Sequence, residues 1–208
     1  LHGIPLLLLP ASLPEAVRRA ALAEPAVTLA AVPALWHAWH EAGAIAATVR
    51  RALSAGAPLP LGLEQAVLGK SGLKIHNFYG STECGGIAYD ESDGAREEEG
   101  LAGRPMANVT LSVGKEGCLV VRGANVAETY WPERDDALGD GRFQTRDLAE
   151  LQNAKVFLRG RVGDSINVAG RKVSPETIEQ VLLLHPAVRK CLAFGIPSGE
   201  AERLEKIV

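Results

Sequence analysis

The chain has 208 residues, 47% of them hydrophobic, which is enough for one sizeable core or two modest domains and excludes disorder as a whole. Its 22 basic and 25 acidic residues leave a formal net charge of -3, too weak a field to mark nucleic acid or an anionic membrane as the main partner. Three cysteines, Cys84, Cys118 and Cys191, are odd in number and widely spaced, so neither a disulfide framework nor a zinc site is indicated, and a reducing, cytoplasmic setting is expected.

Leu6-Leu7-Leu8-Leu9, between Pro5 and Pro10, is far too short to span a bilayer and reads as a buried strand. Residues 13–24 have helical spacing of apolar positions, and Pro25 stops that helix. Val27 to Val32 then reads as a buried strand, and Ala34 to Glu41 as a short helix carrying Trp36 and Trp39. His37 and His40 lie three apart on that helix, but no third metal ligand accompanies them, so they read as helix-surface residues. A second helix, about Ala44 to Leu53, leads into Ser54-Ala55-Gly56-Ala57-Pro58.

With Leu73-Lys74-Ile75-His76 as a further strand, this alternation predicts an α/β subdomain over 1–93, with a parallel sheet and ligand loops at its strand ends. From Gly94 onward the character changes. Arg96 to Glu99 reads as a charged surface turn, and Val109–Val113, Cys118–Arg122 and Phe157–Leu158 as short strands, which predicts a β-rich subdomain over 94–161. Residues 162–208 read as the beginning of a small α+β C-terminal domain. It has a strand at Ile166–Val168, a helix with Ser174 as N-cap and Pro175 at its first position running to about Leu184, and a strand from Val188 to Ile196. The chain opens on apolar residues without Met and stops at what reads as the start of a strand, so both ends are expected to be cuts in a longer chain.

Chemistry concentrates in four segments. Tyr79-Gly80-Ser81-Thr82-Glu83 follows a predicted strand. Its glycine admits close backbone approach, its hydroxyls can donate to phosphate oxygens, its carboxylate can hold a hard divalent cation, and its tyrosine offers a face to a base. Alone, it is equally an ordinary polar loop around a buried tyrosine. Gly56-Ala57-Pro58-Leu59-Pro60 alone is a turn. Gly141 to Leu148 reads as a loop in which Asp147 is a natural bidentate acceptor for vicinal ribose hydroxyls. The fourth segment runs from Gly160 through Arg161, Gly163, Gly170 and Lys172 to Glu179.

In this order and at these intervals the segments resemble the adenylate-forming superfamily of AMP-dependent synthetases and ligases: acyl-CoA synthetases, amino-acid adenylation domains and luciferases. The strongest pieces are YGSTE and GR-x-x-D-x-I-x-x-x-G-x-K-V-x-P-x-x-I-E followed by HPAV, with VPALW, SAGAPLP and GCLVVRGANVAETYW as supporting matches. The resemblance implies that a carboxylate attacks the α-phosphate of ATP to give an acyl-adenylate and pyrophosphate, after which a thiol displaces AMP. CoA is the usual acceptor; a carrier-protein thiol is the alternative, in an amino-acid or aryl-acid adenylation domain.

Carried over by position, the resemblance makes Glu83 the Mg²⁺ ligand and Thr82 a phosphate contact. Gly56, Ala57 and Pro58 with Tyr79 sandwich adenine, Asn77, Gly80 and Ser81 complete the nucleotide-binding segment, Asp147 takes the ribose hydroxyls, and Arg161 the ribose or phosphate. Trp36 and His76 fall where relatives line the acyl pocket, although core packing of Trp36 and a hydrogen-bonded structural role for His76 remain open. Gly170 falls at the CoA contact and Gly163 at the hinge.

Three features depart from the family pattern. Gly163 stands where relatives place a hinge Asp or Lys, and Arg146 where they place a Gly before the ribose-binding Asp. The upstream phosphate loop and the late lysine that supports adenylation are not in the sequence. The expectation is therefore part of a longer synthetase, unable to complete adenylation by itself, with a truncated nucleotide-binding module as the non-catalytic alternative.

Overall fold

A computed structural model describes residues 3–132, 134–163, 166–168, 171–183, 185, 187–188, 191–200 and 203–208. They divide into two compact units, Leu1–Ser81 with Ala88–Arg104, and Thr82–Ile87 with Pro105–Val208.

The first unit alternates helix and strand: α1 (Pro14–Leu22), β1 (Val27–Ala31), α2 (Pro33–Glu41), β2 (Val49–Ser54), α3 (Leu61–Ser71) and β3 (Ile75–Ser81). Proline opens both α1 and α2, where its fixed φ suits the first turn and its missing N–H costs nothing. The three strands pair in parallel, so that Ala31 and Ser54, the last residues of β1 and β2, fall in register with Asn77 of β3. Val17, Trp36, Trp39, Ala52, Leu59, Val67 and Ile75 pack into one core. Each buried indole has a partner, Trp36 Nε1 donating to the Leu53 carbonyl and Trp39 Nε1 to that of Ser12, both at 2.9 Å.

Beside this core lies a buried ionic cluster. Glu64 of α3 pairs with Lys74 through Oε1, and with the Nε of Arg96 through Oε2 at 2.7 Å; Lys74 also reaches Asp90 Oδ2 at 2.8 Å. The Arg96 guanidinium donates further to the carbonyls of Leu101 at 2.9 Å and Leu59 at 2.5 Å. Two cations and two carboxylates cancel, and the remaining donors are spent on backbone, the condition under which charges tolerate burial. For Asp90, burial by itself would push the carboxyl up, but hydrogen bonds from Lys74 and Ser92 and the Lys74 charge outweigh it and hold the group below its ordinary range.

In the second unit, β6 (Thr110–Val113), β7 (Cys118–Arg122), β8 (Arg142–Gln152) and β9 (Lys155–Arg161) lie in the antiparallel order β9-β8-β7-β6. A two-residue turn, Asn153 and Ala154, both at positive φ, joins β8 to β9, the primed geometry that matches strand twist. Leu119, Val121 and Val156 are fully buried beneath this sheet. Two short antiparallel pairs follow, β10 (Ile166–Val168) with β11 (Arg171–Val173), and β12 (Gly195–Glu200) with β13 (Arg203–Ile207), with α4 (Pro175–Leu183) between them in sequence. Two further strands, β4 (Gly85–Tyr89) and β5 (Leu101–Pro105), have residues in both units.

The α/β character and most elements match expectation, and the differences are instructive. Leu6 to Leu9 form no strand, and Leu6 and Leu8 are more than four-fifths exposed. The helix expected over 44–53 is instead strand β2, because Val49 to Ser54 pair with β1 and β3 on either side and Ala52 enters the core; tertiary pairing overrides the helix preference of its alanines. Helix α3 is not foreseen, since its apolar residues form no single stripe and Gly62 and Gly69 interrupt it. The charged turn at 96–99 conceals Arg96, which is 3% exposed. Residues 142–148 belong to β8 rather than a loop, and the strand expected from Val188 begins only at Gly195. All three cysteines are free thiols, and no helix among the described residues is long and apolar enough to cross a membrane.

Breaking the ionic cluster by Arg96→Met leaves Glu64 short of a buried partner and should lower stability by about 3–5 kcal/mol in urea unfolding. The Asp90 carboxyl titrates below its unfolded value, so its contribution is present above the ordinary 3.8 and declines as pH falls below that point. Asp90→Asn should flatten that acid limb of a stability–pH curve, while a limb identical to that of the parent chain would contradict the assignment.

Candidate nucleotide and metal site

Several candidate residues lie on the first unit. Gly56, Ala57 and Pro58 are exposed immediately after β2, and Gly56 takes φ +85, which turns the chain sharply away from the strand. On the adjacent β3, His76 and Asn77 stand in register with Leu53 and Ser54. The turn and the β3 residues thus share the carboxyl end of a parallel pair, where open α/β sheets place ligands. Tyr79 and Ser81 are half-buried on β3 and Gly80 between them is exposed. The Ser81 hydroxyl is buried without a hydrogen-bond partner, as is that of Ser54.

His76 Nδ1 lies 2.9 Å from the Asp90 carbonyl and its ring stacks on Tyr89 at 5.4 Å, while Asn77 Nδ2 donates to the Leu101 carbonyl at 2.9 Å. Both side chains therefore have structural partners. Trp36 needs correction. It is completely buried, packs edge-to-face against Trp39 at 5.3 Å and has its N–H engaged, so it has no free surface with which to line an acyl pocket; it is a core residue. His37 is exposed and His40 half-buried on α2, and among the described residues no group of three His, Cys, Asp or Glu side chains converges.

Thr82, Glu83, Asp147, Arg161 and Gly163 lie on the second unit. Thr82 to Cys84 form the tight turn ahead of Gly85, with Thr82 exposed and Glu83 half-buried. A later segment grips this turn. Ala127 N–H donates to the Glu83 carbonyl at 2.7 Å, Asn125 Nδ2 to the carbonyls of Cys84 and Gly86 at 2.7 and 3.1 Å, and the Tyr130 hydroxyl to Glu83 Oε1 at 2.7 Å. That hydrogen bond, with smaller contributions from burial and the carboxylate charge, pushes the Tyr130 phenol up to about 12. Neither Asn125 nor Tyr130 is nominated by the sequence reading, although both lie in the GANVAETYW segment matched there without a role.

Asp147 and Arg161, nominated separately, stand directly opposite each other on β8 and β9, with Arg161 Nε 3.0 Å from Asp147 Oδ1. The adjacent backbone is tied by Val162 N–H donating to the Arg146 carbonyl at 2.7 Å. Arg146 Nη2 donates to the Val162 carbonyl at 3.0 Å. Gly163 follows at φ +93, and a Cβ placed on it would collide with Arg146 Nη2. The two departures at 146 and 163 thus meet in space, the arginine lying where a side chain at 163 would stand. Gly170 lies outside the described residues.

The family model for AMP-binding enzyme matches residues 1–131. Long-chain-fatty-acid–CoA ligase FadD15 of Mycobacterium bovis is 32% identical over 73% of this chain and 26% of its own length, and 2-succinylbenzoate–CoA ligase of Haemophilus influenzae 28% over 78% and 35%. The chain spans about a quarter to a third of the length of the curated relatives it matches. Among solved structures, o-succinylbenzoate CoA synthetase of Bacillus subtilis, in complex with an acyl-adenylate, superposes with a TM-score of 0.79 at 24% identity, covering 91% of this chain and 42% of that one. The amide bond synthetase Mcba of Marinactinospora thermotolerans gives 0.81 at 24% identity, covering 93% and 44%. At these identities the structures establish a shared fold.

Gly163→Ala should destabilise the chain by roughly 1–3 kcal/mol through the strained φ and the contact with Arg146. Adding Arg146→Ala should recover part of that loss, a coupling readable from thermal melts of the four proteins; strictly additive melts would mean that the two positions do not interact.

Proposed function

This chain belongs to the AMP-binding enzyme family, and from that premise we propose that it forms part of an AMP-forming acid–thiol ligase making an acyl-CoA. In the first step a carboxylate oxygen bonds to the α-phosphorus of ATP while the bond to the bridging oxygen breaks and pyrophosphate leaves. In the second, the CoA sulfur attacks the acyl carbon, AMP departs with its oxygen, and the thiol proton goes to solvent. An aliphatic or aromatic acid is the proposed substrate class, by analogy with the fatty-acid and 2-succinylbenzoate ligases among the relatives.

The observation that carries the nucleotide assignment is the cross-strand pair of Asp147 and Arg161. A carboxylate oriented by a guanidinium is a preorganised acceptor for two vicinal hydroxyls, and Arg161, largely exposed, presents a cation beside it. Gly56, Ala57 and Pro58 with Tyr79 are the proposed adenine contacts. Thr82 and Ser81 are the proposed phosphate donors, and the unpartnered Ser81 hydroxyl supports that role.

Glu83 offers one carboxylate, which fits an ion such as Mg²⁺ that keeps most of its shell as water and phosphate oxygen. The ion would supply charge neutralisation at the phosphates. Gly163 is the proposed hinge and 162–208 the proposed start of a separate domain; the cytoplasm is the proposed compartment, consistent with three widely spaced cysteines.

Calorimetric titration of AMP should show saturable binding that Asp147→Ala weakens about tenfold or more, as expected for loss of a charged hydrogen-bond acceptor. A folded chain that takes up no AMP would overturn the nucleotide assignment.

A further inference from the structure

We propose that Tyr130 is a positioning residue that sets the orientation of the Glu83 carboxylate toward a nucleotide-bound divalent cation, an inference that rests on the nucleotide reading above. The geometry has three parts. Glu83 sits in a three-residue turn, and ordering its long side chain costs rotamer entropy. The Ala127 N–H fixes the Glu83 backbone at 2.7 Å, and Asn125 fixes the next carbonyls, so the turn itself is anchored. The phenolic O–H of Tyr130 then reaches Oε1 at 2.7 Å. A hydrogen bond to an ionised acceptor is short and directional, so tying one oxygen narrows the orientations open to the carboxylate.

Magnesium and manganese impose a near-octahedral shell, and a carboxylate that must first be ordered binds more weakly than one already in place. Tyr130 is 36% exposed, and its hydroxyl is bonded to the Glu83 carboxylate. Its contact with Glu83, 47 residues earlier, joins the segment from Gly123 to Tyr130 to the one turn of the second unit that carries a metal-ligand candidate. Acting through another group rather than on the nucleotide, Tyr130 should be felt only when the metal is present.

The test uses the full 208-residue chain and two probes, MnATP and ATP in excess chelator, titrated by calorimetry into the parent, Tyr130→Phe, Glu83→Gln and the double variant. The expected result is a loss of about tenfold in MnATP affinity for Tyr130→Phe, no change for metal-free ATP, an unaltered melting temperature, and a double variant no weaker than Glu83→Gln alone. Unchanged MnATP affinity in Tyr130→Phe, equal loss with both probes, or losses that multiply in the double variant would each overturn the positioning role while leaving the nucleotide reading intact. A parent chain that binds neither probe overturns that reading, and this inference with it.

Discussion

Four charged side chains, Glu64, Lys74, Asp90 and Arg96, organise the first unit more than any apolar contact does. Burying ions is costly, and a buried set persists only where each charge is paired and each remaining donor is satisfied. Arg96 meets that condition by bonding the Leu59 and Leu101 carbonyls, and in doing so ties down two stretches beside the proposed adenine contacts. Leu59 follows Gly56-Ala57-Pro58 directly, and Leu101 is also the acceptor for Asn77 on β3. The turn after β2 and the end of β3 are therefore held from the same guanidinium. The segment after β2, without regular structure, gains a defined position because its Leu59 carbonyl accepts one of the cluster's remaining donors.

The second unit solves the same problem with register. Asp147 and Arg161 lie in different segments of the sequence, and antiparallel pairing of β8 with β9 brings them opposite each other. One residue earlier, Arg146 turns its guanidinium onto the Val162 carbonyl and fills the space beside Gly163. Residues 146 and 163, unusual when considered singly, are complementary as a pair: a bulky cation on one strand and an absent side chain where the other strand ends. The grip of Asn125, Ala127 and Tyr130 on the turn at Glu83 is a third instance of remote segments defining a local conformation.

What could be read from sequence followed from local physics. Apolar spacing marks α1, proline at the first helical position marks α4, and short apolar runs between polar turns mark β6, β7 and β9. The YGSTE segment by itself is equally an ordinary polar loop, and only its order and spacing with the three other segments tie it to the family. The same local rules misassigned β2, whose alanines favour helix until neighbouring strands capture them, and missed α3, whose apolar residues follow no single stripe. Trp36 is the clearest case for function: a tryptophan can line a pocket or fill a core, and nothing adjacent to it in sequence distinguishes the two.

The family and many of the elements were legible from residue type and spacing along the chain, because helix caps, apolar runs and motif intervals are local properties. Tertiary structure alone decided which residues have partners: that Arg96 is a buried cation rather than a surface one, that Asp147 faces Arg161, that Arg146 occupies the room beside Gly163, and that Tyr130 holds Glu83. Burial and hydrogen bonding are properties of pairs, and each of these pairs joins residues between 14 and 47 positions apart, which local preference cannot see.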